Sequence, residues 1–365
     1  MTDFATRTGF EASEYSSMQN ALYGELQHGP ADPLAPAPPE PPFYDSNREA
    51  WVLSRYVDVL AALREPRLSL RDVHVQDQGE LRTERMPARS EILSALSAAK
   101  LAEWQMQIEP LAYSLMNRLP ACGPVEIIRE FARPWSVGAA VIVTGANAAD
   151  TEHLEDLARQ VSEATADPSD SLLRPGASAA NTELERYFKN AAIPMSGPTF
   201  VALSQTLPCF LANAWLALLR HPAELARLSE TPELMPRAID ELLRYAGLAR
   251  KVSRQVTASI SVAGIPMTEG ERAILVLASA NRDPEQFPDP NRLDFNRGAT
   301  GQVALGTGWH ACVGGALIRM AAGVATRALV PRLAIAEWNG SVEWRGGSGF
   351  RWASSLDVLF RRNAH

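Results

Sequence analysis

The residues with the clearest chemistry lie in one short segment, 305–316, which reads LGTGWHACVGGA. Glycine, histidine and cysteine occupy every second position of it: Gly306, Gly308, His310, Cys312 and Gly314. Alternating glycines let a backbone turn tightly beneath a flat ligand and direct its N–H groups inward. The sequence after Gly314 has a helical pattern, and the start of a helix favours a thiolate. A thiolate in a glycine-rich turn suits a haem iron, although a buried structural cysteine in a tight turn fits the same segment.

A second candidate group lies earlier in the chain, where Glu241-Leu242-Leu243-Arg244 places an acid and an arginine three residues apart. Side chains at positions i and i+3 are neighbours on a helix and can pair. Such pairs are common on helix surfaces, so this spacing alone carries little information. It is followed by Phe287-Pro288-Asp289-Pro290-Asn291-Arg292, which lies between it and the cysteine segment.

Together these motifs, in this order, resemble the cytochrome P-450 superfamily of haem-thiolate monooxygenases. The segment around Cys312 resembles the cysteine-ligand loop of that family, and Glu241 and Arg244 match its Glu-x-x-Arg helix. The resemblance runs from about residue 45 to residue 360. It implies that Cys312 ligates the iron of haem b, and that Glu241, Arg244 and Arg292 form a buried structural triad.

The resemblance also implies which side chains meet the haem carboxylates, since arginine binds carboxylates through paired hydrogen bonds. The implied residues are Arg85, Arg89, Arg254 and His310. Arg85 replaces a histidine of the family, and a solvated surface arginine is an equally good interpretation of it. Leu305 and Gly306 belong to the same cofactor-binding loop. Leu305 stands where the family usually has a phenylalanine that shields the sulfur, and this change in packing can shift the iron potential.

The segment Ala202–Thr206 aligns with the oxygen-activating motif of the family, Ala/Gly-Gly-x-Asp/Glu-Thr. Thr206 keeps the threonine, whereas Gln205 replaces the acid and Leu203 replaces the glycine. Glutamine hydrogen-bonds water but does not titrate near neutral pH, so we expect proton delivery to be weakened or rerouted through Thr206 and bound water. An alternative alignment on Ser196–Thr199 requires an insertion of about two helical turns.

By the same resemblance, Gln205 and Thr206 are the candidate catalytic residues, and Pro208 should kink their helix because it lacks an N–H. The implied substrate contacts are mostly apolar, which suggests an apolar substrate, and core packing explains each of them equally well. These contacts are Ala202, Leu203, Val252 and Phe350.

The positioning elements follow from hydrophobic periodicity, and they predict a mainly α fold with small β-sheets, an α+β class consistent with the cytochrome P-450 fold. We expect the haem to lie between the long central helix and the cysteine loop. The predicted helices are Ile92–Leu119, Val125–Thr144, Glu152–Ala166, Thr182–Ala192, Val201–Arg220, Pro222–Leu228, Glu233–Tyr245 and Gly314–Leu329. The predicted strands are Trp51–Leu53, Ser253–Val262, Arg272–Leu277 and Val342–Phe360.

Residues 151–200 are few for the several helices that normally form the lid over the substrate, and 171–182 is predicted to be a loop. One interpretation is a compact domain with a more open pocket. The other is a pocket open enough for a large or tethered substrate, such as one carried by a protein.

Composition excludes several classes of function. The chain has 365 residues and a formal net charge of -7, which disfavours nucleic-acid binding. Its three cysteines, Cys122, Cys209 and Cys312, form neither a disulfide framework nor a zinc site. The apolar run Val201–Leu219 contains polar residues and is interpreted as a core helix, so we expect a cytoplasmic protein without a membrane span.

We expect a proline-rich lead-in over 1–44 and a single haem domain over 45–365, which acts as a monomer. The predicted function is insertion of one oxygen atom into an apolar small molecule, in a bacterial biosynthetic pathway. Electrons would come from a separate ferredoxin or flavodoxin, because the chain has no flavin or iron–sulfur motif. Basic residues could dock this acidic partner, or could be ordinary solvated charges: Arg82, Arg85, Arg89 and Lys100.

Two other functions fit the sequence. Gln205 and Leu203 also suggest a peroxide-dependent or redox-neutral haem-thiolate enzyme that does not use the dioxygen pathway. A non-catalytic haem-binding protein is the third possibility, and the retained Thr206 argues against it.

Overall fold

The structure is a computed structural model that describes residues 34–69, 89–168, 170–191, 196–297, 301–338 and 340–361. These residues form two compact units, each assembled from separate stretches of the chain. The sheet unit comprises the described residues of Met1–Arg85, Ala249–Arg292 and Gly301–Cys312. The helical unit comprises those of Met86–Leu248, Leu293–Thr300 and Val313–His365. The boundaries 1–44 and 45–365 stay a prediction.

The predicted class is confirmed: helices dominate and the sheets are small. The α-helices are α1 (Tyr56–Arg64), α2 (Arg89–Ala95), α3 (Ala98–Arg118), α4 (Arg133–Thr144), α5 (Thr151–Ala166), α6 (Arg174–Tyr187), α7 (Ser196–Val201), α8 (Leu207–Arg220), α9 (Pro222–Glu230), α10 (Met235–Ala246), α11 (Leu277–Ala280) and α12 (Gly315–Leu333). The strands are β1 (Phe43–Asp45), β2 (Ala50–Leu53), β3 (Leu68–Ser69), β4 (Gly123–Glu126), β5 (Val252–Val256), β6 (Ile260–Val262), β7 (Ile265–Met267), β8 (Arg272–Leu275), β9 (Glu337–Trp338), β10 (Trp344–Gly346), β11 (Arg351–Ala353) and β12 (Asp357–Phe360).

A five-stranded sheet in the order β1-β2-β8-β5-β3 organises the sheet unit. Strand β2 pairs parallel to β8, with Trp51 opposite Ala273, and the other neighbouring pairs are antiparallel. All four residues of β2 are buried, as expected for an apolar strand covered on both faces. Strand β5 carries Val252 and Arg254, two of the predicted site residues, so the sheet fixes both positions.

Residues 34–44, the described part of the proline-rich lead-in, pack against this sheet. Phe43 pairs with Val52 across β1 and β2 and is buried, and Leu34 is only 3% exposed. The Leu34 carbonyl accepts a hydrogen bond of 2.7 Å from Nη2 of Arg282. The apolar side chains of this segment contribute to the core, which its proline-rich composition did not suggest.

The predicted helix Ile92–Leu119 is divided into α2 and α3. Ser97 has an extended backbone between them, and its hydroxyl accepts a hydrogen bond from the Lys100 N–H at 3.4 Å. Serine in this position stabilises a new helix start, so the chain begins α3 instead of continuing α2. The apolar face of α3, with Trp104, Ile108 and Met116 buried, then packs inside the helical unit.

The central segment of the helical unit is Ser196–Arg220, which joins α7 and α8 through a π-helical turn at Ala202–Thr206. It is long and apolar enough to cross a bilayer, but 83% of its most apolar stretch is buried inside the protein. Trp215 and Leu216 within it are fully buried. This burial is that of a core helix, as the sequence interpretation of Val201–Leu219 proposed.

The predicted loop at 171–182 is wrong, because α6 begins at Arg174. Pro175 lies in the first turn of α6, where a missing N–H leaves no helix hydrogen bond unmade. Ala180 and Leu184, four residues apart, are both buried. Helices α5 and α6 lie against each other, and His153 and Glu183 join them at 2.8 Å. Tertiary packing thus stabilises a helix whose glycine and serine content indicated a loop.

Candidate functional site

Glycine positions the cysteine loop against α1 inside the sheet unit. Gly308 has a φ of +71°, and a Cβ added there would lie 2.6 Å from the Leu63 carbonyl oxygen at the end of α1. Gly306 has a φ of +67°, also in the left-handed region that favours glycine. The alternation of glycine seen in the sequence therefore has two structural causes, namely left-handed backbone and close approach of two chain segments.

Backbone hydrogen bonds close the loop that carries the thiol. The Cys312 N–H donates to the Leu305 carbonyl at 2.8 Å, and the Gly306 N–H donates to the Val303 carbonyl at 2.9 Å. The Val303 N–H donates to Oδ1 of Asn281 at 2.8 Å, which ties the loop to the end of α11. Cys312 itself is exposed. A rigid backbone thus presents an accessible sulfur, and α12 begins three residues later at Gly315.

Arg254 is a buried cation on β5. Its residue is 5% exposed, its Nη1 donates to the Ser253 carbonyl at 2.9 Å, and burial lowers the pKa of its guanidinium. Within the part of the chain that the structure describes, no carboxylate pairs with Arg254. A buried guanidinium without a carboxylate is unfavourable unless a ligand supplies the anion.

The other predicted carboxylate-binding residues are only partly described. His310 ends a 3₁₀ turn, Gly308–His310, and is half-buried. Arg89 is the first residue of α2 and is also half-buried. Arg85 lies outside the described residues. Leu305 is half-buried and accepts the Cys312 hydrogen bond through its carbonyl, so it supports the loop through its backbone.

These residues fit a haem. Cys312 offers an exposed sulfur on an immobilised backbone, which suits a ligand to the haem iron. Arg254 offers a buried positive charge that lacks a carboxylate among the described residues, which suits a haem propionate. Both belong to the sheet unit, on β5 and on the loop after β8 and α11.

The predicted oxygen-activating residues lie in the π-helical turn of the helical unit. The Leu207 N–H donates to the Ala202 carbonyl, one residue further back than in an α-helix. Pro208 lies at the start of α8 and follows the π-helical turn directly. The predicted kink at this proline stays a prediction. Gln205 and Thr206 are half-buried, and among described residues their side chains have no hydrogen-bond partner. Both side chains are therefore available for water or ligand.

The predicted substrate contacts differ in burial. Leu203 is 1% exposed and Ala202 is half-buried. Val252 is half-buried against the hydrophobic core of the sheet unit. Phe350 is half-buried in the turn between β10 and β11, and its N–H donates to the Ala166 carbonyl at the end of α5 at 3.1 Å. Contact with a substrate stays a prediction for all four.

Among the described residues of the helical unit, the Glu241 carboxylate accepts four hydrogen bonds. It lies 1% exposed on α10, and Arg244 binds both of its oxygens at 2.8 Å. The Asp294 N–H also donates to it at 3.1 Å, and Nε of Arg297 approaches to 3.3 Å. Arg297 and the Asp294 backbone were not predicted. Arg292 belongs to the sheet unit, and its place in the triad stays a prediction.

The segment 293–297 contained a signal that sequence reasoning did not use. It reads LDFNR and follows the Arg292 motif directly, so it places a second arginine five residues downstream. Only the structure indicates that this arginine reaches the Glu241 carboxylate.

Comparison with known proteins supports the same assignment. The family "Cytochrome P450" matches residues 226–336 of the chain. Mycinamicin VIII C21 methyl hydroxylase of Micromonospora griseorubida is 30% identical, over 82% of this chain and 87% of its own length. Cytochrome P450 107B1 of Saccharopolyspora erythraea is 29% identical, over 85% of this chain and 89% of its own. The crystal structure of CalO2 superposes with a TM-score of 0.76 at 19% identity, over 97% of this chain and 99% of the other.

The chain therefore belongs to the cytochrome P-450 family, as the sequence motifs indicated, and is a haem-thiolate monooxygenase of the bacterial type. Its cofactor is haem b, and the predicted cytochrome P-450 fold is confirmed.

Removal of the Glu241 carboxylate should destabilise the protein strongly. We expect Glu241→Ala to lower the free energy of unfolding by about 3–5 kcal/mol, because Arg244 would be left buried without its anion. The neighbouring Asp240→Asn is the control. Asp240 pairs with Arg319 at 2.7 Å, but the Asp240 side chain is 33% exposed and that of Arg319 is 40% exposed. This control should change the free energy by at most about 1 kcal/mol. Denaturant unfolding measures both, and equal effects would contradict the expectation.

Gly308→Ala should disrupt the cysteine loop, because its Cβ would meet the Leu63 carbonyl. Gly264→Ala is the control: it has a φ of +77° but nothing within 4 Å of the added Cβ. Left-handed strain of about 1–2 kcal/mol is common to both variants. The clash should cost Gly308→Ala a further 1–3 kcal/mol or so, about the range for overpacking. Denaturant unfolding and the fraction of purified protein that retains haem measure the difference; comparable losses would argue against a close-packed loop.

Proposed function

We propose that this enzyme hydroxylates an apolar small molecule in a bacterial biosynthetic pathway, with electrons from a separate acidic donor protein. The observation that carries the proposal is the Cys312 loop, in which an exposed thiol stands on a backbone immobilised by Gly308 and by the bond to Leu305. The 30% identical relative is named a methyl hydroxylase, which favours hydroxylation over other oxidations. We place this activity in the cytoplasm.

The residues of the sheet unit would hold the cofactor. Cys312 would ligate the iron, while Arg254 and His310 would bind the carboxylate groups. Bound haem supplies the oxygen-activating chemistry, which the thiolate ligand promotes by donating electron density. Leu305 would keep the surroundings of the sulfur apolar. These side chains would hold the haem in position and set the electrostatic environment around it before a substrate binds.

The residues of the π-helical turn would handle protons and water. Gln205 can donate and accept hydrogen bonds, but it does not gain or lose a proton near neutral pH. Thr206 carries a hydroxyl that can pass a proton on while it accepts another. Because neither side chain has a partner among described residues, both can hold water. We therefore propose that protons reach the site through Thr206 and bound water, with Gln205 orienting that water.

An apolar substrate is supported by the side chains proposed to touch it, which are Ala202, Leu203, Val252 and Phe350. Ala202, Val252 and Phe350 are half-buried, so an apolar ligand that covers their exposed area would gain roughly 25 cal/mol per Å². Leu203 is already buried by the protein and would contribute shape rather than area. A more specific form of this proposal is that the substrate is large or is attached to a carrier protein. The described residues of this region, 151–168, 170–191 and 196–200, contain the α5 and α6 pair and α7, fewer helices than the resemblance implies for a lid.

The donor protein would dock on the sheet unit. Trp309, in the cysteine loop, is 67% exposed, and tryptophan and arginine are the most frequent anchors of protein interfaces. Gly308 holds this part of the loop against the end of α1, where Arg64 is exposed and has no described ion-pair partner. Among the cations named from the sequence, Arg82 and Arg85 lie outside the described residues, and Lys100 pairs with Glu103 at 2.9 Å. We therefore favour Trp309 and Arg64 as the contacts for an acidic donor.

A peroxide-dependent or redox-neutral haem-thiolate enzyme is the second candidate function. Gln205 favours it, because this residue removes the titratable group that the dioxygen pathway normally uses. Turnover supported better by peroxide than by reduced donor protein would identify it. Failure of every donor and of peroxide to give product, together with tight binding of a partner, would identify a haem-binding protein without catalysis.

The absorption spectrum of dithionite-reduced protein with carbon monoxide tests the iron ligand. We expect a strongly red-shifted Soret band, because Cys312 would supply a thiolate ligand to the iron. Cys312→Ser should abolish this shift, whereas Cys122→Ser, which changes another exposed cysteine, should leave it intact. An ordinary haem band in the folded wild-type protein would contradict thiolate ligation by Cys312.

Gln205→Glu should restore a titratable group at the π-helical turn. We expect the fraction of electrons that appear in product to rise by about threefold or more, a small part of what general acid catalysis contributes. Gln107→Glu, which adds the same charge at an exposed position of α3, is the control. Product and electron consumption are measured together, and no change in their ratio would count against the proton role of Gln205.

Charge reversal at Arg64 should slow reduction by an acidic ferredoxin. We expect Arg64→Glu and Trp309→Ala to lower the second-order rate of electron transfer by about tenfold at low ionic strength. The effect of Arg64→Glu should shrink as salt is added, because salt screens exposed charges. Arg345→Glu, an exposed arginine of the helical unit, is the charge-matched control. Equal rates in stopped-flow measurements would exclude this docking site.

A further inference from the structure

Cys209 makes an unusual side-chain contact immediately after the π-helical turn. Its Sγ donates to the Gln205 carbonyl oxygen at 3.1 Å, four residues earlier in the chain. Hydroxyls make the same kind of contact elsewhere in this chain, from Thr144 to Ala140 and from Thr165 to Val161. Such contacts compete with the helix ladder and bend the helix. Here a thiol is the donor, and the acceptor is the carbonyl of the peptide that joins Gln205 to Thr206.

The backbone at this point has lost a donor. Pro208 has no N–H, so it cannot make the α-helical bond to the Ser204 carbonyl. The Leu207 N–H is directed to Ala202, which widens the turn. The Leu203 and Ser204 carbonyls, which directly precede that of Gln205, therefore lose their usual α-helical donors at positions 207 and 208. An additional donor at this carbonyl contributes more here than it would in a regular helix.

Burial keeps this thiol protonated. Cys209 is 8% exposed, and burial raises the pKa of its thiol to about 12, against the smaller lowering effect of the Arg133 guanidinium. A protonated thiol is a poor nucleophile and a poor metal ligand, but it retains its hydrogen as a donor. The chemistry of Cys209 is thus that of a small apolar side chain with one weak hydrogen bond.

We propose that Cys209 is a positioning residue for oxygen activation, whose thiol holds the Gln205–Thr206 peptide and thereby fixes the directions of both side chains. The inference rests on the proposed function of Gln205 and Thr206. It goes beyond that function in assigning the support of the site to a residue outside both the proposed haem-binding set and the oxygen-activating motif. The widened turn supplies the space for water, and the thiol keeps the turn from relaxing.

Three variants of Cys209 separate the hydrogen bond from packing. Cys209→Ser retains a donor, Cys209→Ala removes it and leaves a smaller side chain, and Cys209→Val removes it while it fills the space. The exposed Cys122→Ala is the control for loss of a thiol. Circular dichroism and haem content establish that each holoenzyme is folded, and if the alanine variant fails to fold, the valine variant carries the test.

Three measurements follow on the holoenzymes. The S–H stretching band of Cys209, taken as wild type minus Cys209→Ala, should lie below that of the exposed Cys122. Hydrogen exchange of the Leu207 amide should quicken in the alanine and valine variants but not in the serine variant. The fraction of electrons that appear in product should fall by about two- to tenfold in the same two variants, as expected for loss of one neutral hydrogen bond.

The results distinguish the two proposals. Unchanged amide exchange in Cys209→Val, or failure of serine to preserve wild-type exchange and coupling, would overturn the positioning role. Quickened exchange with unchanged coupling would also overturn it, since the turn would then have moved without consequence. Whether Gln205 acts in proton delivery is read separately from Gln205→Glu, and the infrared and exchange measurements need no turnover.

Discussion

The proposed function requires that the Cys312 sulfur be accessible and that its backbone be held in place. On a flexible loop the thiol of a cysteine could point in many directions, because the backbone conformation sets the direction of its short side chain. Gly308 meets this requirement by allowing the loop to lie against the Leu63 carbonyl, where any larger residue would clash. The Cys312 N–H then closes the loop on Leu305. The sheet and α1 hold the other side of this contact, so their packing serves the position of one atom.

Buried charge is treated in two different ways in the two units. Glu241 is surrounded by donors from Arg244, Arg297 and the Asp294 backbone, so its charge is satisfied within the helical unit. Arg254 is buried in the sheet unit with a single described backbone acceptor. The first arrangement stabilises structure, since every member is paired. The second leaves a positive charge for an anionic ligand, and burial strengthens its attraction to that ligand.

The π-helical turn lacks some of the regular helix hydrogen bonds and gains one from a side chain. Pro208 removes a backbone donor and Leu207 reaches back to Ala202, which leaves the turn wider than an α-helix. Cys209 adds a donor at the Gln205 carbonyl. A helix interrupted in this manner can hold water beside polar side chains without loss of the buried segments on either side. The same sequence in an uninterrupted helix would satisfy its own carbonyls and offer no such site.

The sequence by itself determined the class of fold, the family and the Glu241–Arg244 pair, because helical periodicity, short motifs and i, i+3 spacing each involve residues close together in the chain. The same kind of local pattern predicts Cys312 as the haem ligand. Periodicity within a helix and alternation within a loop are local, and local patterns can be read from a sequence. The sequence also predicts a kink at Pro208, since a missing N–H has a local effect. The tertiary structure alone decided that Arg297 reaches Glu241, that Arg254 is buried, and that 174–187 is a helix instead of a loop. Each of these depends on partners distant in the chain, and burial or pairing by such partners overrides local propensity.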